Sequence, residues 1–147
     1  MQKISPFLWF DNQAEEAANL YVSTFKNSRI LSASPMVCSF ELEGQPFLAL
    51  NGGPQYRFSE AVSFMIHCES QEEIDWFWDK LSEGGEVQRC GWLKDRFGLS
   101  WQVVPTILGT LIGDPDPEKS SRAMQAMFQM TKLDIEALKR AHAGEPS

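Results

Sequence analysis

The sequence is short of positive charge: Lys and Arg number 13 against 20 Asp and Glu, for a net charge of −7. Nucleic acid and anionic membrane surfaces both need a basic stripe, so the deficit argues against either as a partner. Long apolar runs are absent too, since none reaches the roughly 18 residues that a membrane span requires. The opening residues Met1-Gln2-Lys3-Ile4-Ser5-Pro6 carry no apolar signal core, and a cytoplasmic location is expected. Cysteine is scarce. Cys38, Cys68 and Cys90 are an odd set without C-x-x-C spacing, which reads as reduced thiols rather than a disulfide frame. No low-complexity segment or flexible linker interrupts the 147 residues, a length that suits one domain able to bury a core unaided. What the chain has in plenty is aromatic. Five Trp and ten Phe imply a large aromatic core, an aromatic pocket, or both.

Ile4–Phe10 is a compact apolar run of strand length. Asn12, with Glu15 three residues later, predicts a helix start, and Ala18, Tyr21, Val22 and Phe25 fall on one helical face. Arg29–Ser34 reads as a short strand closed by Pro35. Met36, Cys38, Phe40 and Leu42 then alternate with polar or smaller residues, the period of a half-buried strand. Gly44-Gln45-Pro46 turns the chain into Phe47–Asn51, and Gly52-Gly53-Pro54 breaks it.

This β-α-β-β-β order recurs. Val62–Cys68 is an apolar strand, and Ser70-Gln71-Glu72-Glu73 is a capping box opening a helix with Ile74, Phe77, Trp78 and Leu81 on one face. Gly84-Gly85 ends that helix. Glu86–Leu93 carries one or two short strands, Lys94-Asp95-Arg96-Phe97-Gly98 a turn, and Leu99–Val104 a last strand before Pro105. The apolar faces of the two helices match, Ala17 to Ile74 and Leu20 to Phe77, so the repeat is one of topology with only faint identity. The tail reads as helical. Asp116-Pro117 opens one helix, with Met124, Met127, Phe128 and Thr131 on a face and Ala123, Ala126 and Met130 beside it. A capping box from Thr131 to Asp134 predicts another, carrying Leu133, Ile135, Leu138 and Ala141. The expected fold class is α+β: one domain over 1–147, with modules at about 1–55 and 60–105 and a helical tail at 106–147.

Two such modules in tandem resemble the vicinal oxygen chelate superfamily of glyoxalases, bleomycin-resistance proteins and extradiol dioxygenases. Ile4-Ser5-Pro6-Phe7-Leu8-Trp9-Phe10, Ala14-Glu15-Glu16-Ala17 and above all the stretch from Gly91-Trp92-Leu93-Lys94-Asp95-Arg96 to Val104-Pro105 resemble its PhnB-like branch. That branch is also known as 3-demethylubiquinone-9 3-methyltransferase-like. The tail segments Asp114–Glu118 and Ala123–Met127 resemble it as well. The resemblance implies half-barrel sheets around a cleft, and pairing into homodimers. Its methyltransferase name is read here as a misnomer. A classical methyltransferase holds its cofactor at a Gly-rich turn between strand and helix in a doubly wound sheet. Here Gly52-Gly53 is followed by Pro54 and Gly84-Gly85 by Glu86-Val87, neither of which starts a helix.

Metal-using relatives carry His, Glu or Gln at four inward strand positions. Matched strand by strand, these fall at Ser5 or Pro6, near Asn51, at Ser63 and at Gln102, a poor donor set for hard cations or zinc. No metal and no cofactor is therefore expected. His67 shares a strand face with Ser63 and stands either as a cavity polar group or as a satisfied core histidine. Cys90, next to Arg89, reads as a small half-buried hydrophobe or an activated thiol. Asp95-Arg96 is a turn salt bridge or Asx turn, or else Arg96 clamps an anionic ligand at a cavity mouth. Gln102 presents an amide that must orient a ligand or a neighbouring side chain. The expected site is a cleft lined by Trp9, Asn51, His67, Trp92 and Gln102, with Arg96 at its mouth, holding a small aromatic or amphipathic molecule. A metal-dependent glyoxalase or dioxygenase, with His67 as ligand or base, and a ligand-free interaction module are the alternatives.

Overall fold

Alternation decides the first sheet. Along β3 (Val37–Leu42), Cys38, Phe40 and Leu42 are buried while Val37, Ser39 and Glu41 are half-buried, as a strand with one fully covered face requires. The computed structural model describes residues 2–145, and the chain falls into two compact units, one ending at Ser59 and one beginning at Glu60.

In the first unit β1 (Phe7–Phe10) runs parallel to β4 (Gln45–Asn51), β4 pairs antiparallel with β3, and β3 pairs antiparallel with β2 (Arg29–Ala33). The order β1-β4-β3-β2 makes an open sheet. Helix α1 (Ala14–Thr24) covers one face, burying Ala14, Ala17, Ala18 and Tyr21. Tyr21 meets Phe40, and Phe40 stacks on Phe47 with ring centroids 5.2 Å apart. Val22 and Phe25, expected on the buried stripe, are only half-buried; small Ala14 and Ala17 take that place and let the helix approach the sheet closely. Asn12 is not the cap. The helix begins at Ala14, and its amide donates instead to Asn51 Oδ1 at the end of β4, at 2.8 Å.

The second unit repeats the plan with β5 (Ser63–Cys68), β6 (Glu86–Val87), β7 (Trp92–Lys94) and β8 (Ser100–Pro105) in the order β5-β8-β7-β6, again with the first strand, β5, parallel to its neighbour β8. Helix α2 (Gln71–Ser82) forms as its sequence predicts: Ser70 Oγ accepts from the Glu73 amide at 3.2 Å, and Ile74, Phe77, Trp78 and Leu81 are buried. Both sheets are mixed and neither closes into a barrel. The architecture is α+β.

The tail belongs to this second unit. After β8 come α3 (Ile107–Ile112), which the periodicity did not reveal, then α4 (Pro117–Phe128) and α5 (Ile135–Ala143). Asp116 Oδ1 caps α4 by accepting from the Glu118 amide at 2.9 Å. Met127 packs against the core as expected, but Phe128 from the same face is exposed, and the flanking Ala123 and Ala126 face the core instead. Thr131 does not open α5. Asp134 caps it, accepting from the Ala137 amide at 3.0 Å, because the backbone just before it is engaged elsewhere. The Cys90 and Gly91 amides donate to the Met130 and Thr131 carbonyls, each at 2.9 Å. The Gln71 side chain reaches from α2, accepting from the Ile135 amide at 2.9 Å and donating to the Leu133 carbonyl at 3.1 Å. Gly91 is required where the tail crosses the sheet: its φ is +84°, and a Cβ there would lie 2.7 Å from the Val103 carbonyl. Val104, Leu108, Leu111, Ala123, Leu133 and Leu138 form the core that fixes the three tail helices. Among the described residues, no helix is long and apolar enough to cross a membrane.

Candidate functional site

The strand register of the second sheet decides which side chains meet. Phe64, Ile66, Leu93, Trp101 and Val103 project toward α2, so their neighbours by period 2 project from the other face. On that face Gln102 stands between Met65 of β5 and Trp92 of β7, making one cross-strand row, Met65-Gln102-Trp92. The next row holds His67 and Val104; on the other side lie Ser63, Ser100 and Lys94.

A pocket of about 390 Å³ opens over these rows. Its floor is Met65, His67, Trp92, Gln102 and Val104. Leu108, Gly109 and Ile112 of α3 and Met127 of α4 make the roof, and Cys90, Pro105 and Thr106 complete the lining. The lining contains no carboxylate, lysine or arginine. Gln102 Nε2 donates to Ser63 Oγ at 2.9 Å, which fixes the amide and leaves its oxygen without a partner among the described residues. The His67 imidazole and the Trp92 indole N–H are likewise without hydrogen-bond partners among the described residues. Ser100, beside Gln102, is fully buried with an unpartnered hydroxyl. The Thr106 hydroxyl donates to Glu69 Oε2 at 3.2 Å, which places one carboxylate beside a lining residue.

His67, Trp92 and Gln102 are thus brought together, and Met65, Cys90, Thr106 and the apolar roof join them. The roof had no signal in the sequence, because α3 carries no capping side chain and includes Gly109. Arg96 stands apart from this pocket. Its guanidinium lies over the Phe97 ring, 4.7 Å from the centroid, beside Gly84 at the end of α2. Asp95 is the Asx turn: its Oδ1 accepts from the Phe97 amide at 2.9 Å and the Leu99 amide at 3.1 Å, and Oδ2 accepts from the Trp101 indole at 2.9 Å.

Trp9 and Asn51 lie in the first unit. The Trp9 indole donates to the Gly53 carbonyl at 2.9 Å and meets Tyr56 edge-on, with centroids 4.9 Å apart. Its ring lies so near Gly52 that a Cβ there would fall 2.4 Å from it. Asn51 uses both ends of its amide, accepting from Ala14 through Oδ1 and donating to the Pro35 carbonyl through Nδ2 at 2.9 Å.

The donor set does not fit a metal. Ser63 and Gln102, two of the four positions that metal-using relatives arm, hydrogen-bond each other. Among the described residues no three His, Cys, Asp or Glu side chains cluster as ligands. Nor do the glycine pairs fit a nucleotide-like cofactor: Gly52 packs on Trp9, and Gly84-Gly85 follows the end of α2 rather than opening a helix. Burial pushes the Cys68 thiol up to about 12, with Glu73 and Glu69 adding to it, and burial likewise raises Cys38.

The family described as 3-demethylubiquinone-9 3-methyltransferase matches residues 2–104. The chain belongs to that family. Among solved structures it is similar to a Bacillus cereus PhnB protein described by the same name, at 33% identity and a TM-score of 0.68, over 71% of this chain and 100% of that one. A glyoxalase/bleomycin resistance protein from Albidiferax ferrireducens shares the fold at 13% identity and a TM-score of 0.52, over 71% of this chain and 98% of that one. So does the fosfomycin resistance protein FosX from Listeria monocytogenes, at 13% identity and a TM-score of 0.54, over 71% and 93%. These two share the fold of the chain. No curated protein matches it. The family match stops at residue 104, so α3, α4 and α5 lie outside it and the pocket roof is built by the tail.

Proposed function

We propose that this PhnB-like chain binds a small aromatic or amphipathic molecule, without a metal, in the pocket of its second unit. One observation carries the reading: the Met65-Gln102-Trp92 row lies under an apolar roof and keeps hydrogen-bonding groups unused on its floor. Pockets of roughly 300–1,000 Å³ lined mainly by apolar and aromatic groups, with a few convergent polar ones, suit small ligands. Methyl transfer is not proposed, because neither glycine pair offers a cofactor cradle.

Thermal-shift titration with small neutral aromatics at millimolar concentration tests the reading. Wild-type protein should be stabilised, and Trp92→Ala and Gln102→Leu, checked for folding by circular dichroism, should lose that response. No shift with any ligand class would favour the interaction-module alternative. Stoichiometric Zn, Mn, Fe or Ni in protein purified without chelators would instead favour a metal-dependent glyoxalase-type enzyme. A cytoplasmic homodimer belongs to the same proposal; light scattering at micromolar concentration should give twice the chain mass.

A further inference from the structure

The charges around the pocket say what kind of ligand it takes. Among the described residues its lining holds no carboxylate, lysine or arginine, so a charged ligand entering it loses hydration that surrounding groups must offset. One carboxylate stands beside that lining, the exposed Glu69, which accepts from the hydroxyl of Thr106, a lining residue. Among the described residues no basic side chain lines the pocket. Lys94, on the same sheet face, is paired with Glu60 at 3.1 Å; Lys132 is paired with Asp75 at 2.9 Å. Arg122 donates to the Ala141 and His142 carbonyls, and Arg96 lies over Phe97. Arg89, next to Cys90 in the chain, is exposed and does not line the pocket. The chain as a whole is acidic.

The floor adds a complementary preference. The free Gln102 oxygen accepts a hydrogen bond from an ammonium or hydroxyl, and the free Trp92 N–H donates to an alcohol or carboxylate oxygen, so the Glu69 carboxylate decides between the charged classes. The Trp92 ring and the Met65 and Met127 thioethers offer polarisable surface of the sort that attracts cations and aromatic rings. We infer that the pocket selects amphipathic aromatic amines over their carboxylate counterparts, with neutral alcohols between them, Glu69 setting that order. This rests on the binding proposed above and goes further by fixing the ligand's charge.

The test is calorimetric titration of the full chain at pH 8 with three isosteric probes: 2-naphthylmethylamine, 2-naphthylmethanol and 2-naphthoate. At low salt the amine should bind several-fold more tightly than the alcohol, and the naphthoate at least about tenfold more weakly than the amine, a difference of roughly 1.4 kcal/mol. Raising the salt should narrow the spread, because one carboxylate near solvent is screened. Glu69→Gln keeps an acceptor for Thr106 and should bring amine and alcohol close together while leaving the alcohol's affinity alone. Naphthoate binding as tightly as the amine, or an unchanged amine-to-alcohol ratio in Glu69→Gln, would overturn the inference and leave the binding proposal standing. Failure of all three probes would sink both.

Discussion

Asn51 Oδ1 accepts the Ala14 amide at 2.8 Å, so a side chain at the end of β4 caps a helix that begins thirty-seven positions earlier. The same amide donates to the Pro35 carbonyl, tying the β2–β3 connection to the arrangement. Asn51→Ala should cost about 1–2 kcal/mol, the usual worth of a helix cap with a second bond added. Asn51→Asp should retain the cap and lose only the Pro35 bond. Urea unfolding of both variants separates these contributions; equal losses would mean that the cap is not the main role.

Asp95 should matter more. Removing its carboxyl leaves the Phe97 and Leu99 amides and the Trp101 indole, all in or near the core, without their acceptor. Asp95→Ala is expected to destabilise the protein by on the order of 3 kcal/mol, well above an ordinary turn substitution. Chemical denaturation measures it. A loss near that of an exposed turn residue would contradict the role assigned to this carboxylate.

The three cysteines should separate in a thiol titration of native protein at pH 8. Cys68, with its thiol pushed up to about 12, and Cys38, also raised, are buried and should react only on unfolding. Cys90 lines the pocket and should supply the single fast equivalent, lost in Cys90→Ser. A bound pocket ligand should slow that reaction. Fast labelling unaffected by a ligand shown to bind by calorimetry would place that ligand elsewhere.

Acid should loosen the tail before it unfolds the sheets. The Asp75 carboxyl is held below its usual range, first by the hydrogen bond from Lys132 and then by the one from Gln71. A carboxyl lowered in the folded state stabilises above its unfolded pKa of about 3.9, and that contribution fades as the pH falls through the folded value. Asp75→Asn should therefore destabilise the protein at neutral pH and flatten the loss of stability on the way to pH 3. Both effects should be small and reduced by salt, because the pair is well exposed. Thermal melts over pH 3–7 test the sign.

Legibility tracked the range of the interaction. Helix α2 was readable because Ser70 caps it locally and Ile74, Phe77, Trp78 and Leu81 mark its buried face. The start of α1 was misplaced because its cap comes from β4, and Asn12, the local candidate, is left exposed. Thr131 looked like a cap, but its carbonyl is engaged by Gly91 across the sheet. In the site, period 2 correctly put His67 on the face of Ser63, and register then aligned Gln102 with Trp92. Arg96 was grouped with them from its neighbourhood in the sequence, and the Asp95 turn carries it over Phe97 instead. The roof was out of reach, since nothing local to Leu108 or Met127 says what lies beneath them.

The tail that crosses Gly91 supplies the pocket roof and lies beyond the family match. Sheet and roof are therefore built by separate stretches of the chain. Substitutions in α3 or α4 can resize the chamber while the Met65-Gln102-Trp92 row stays as it is. Relatives that keep the two sheets and exchange this segment would keep the fold and acquire a different appetite for ligands.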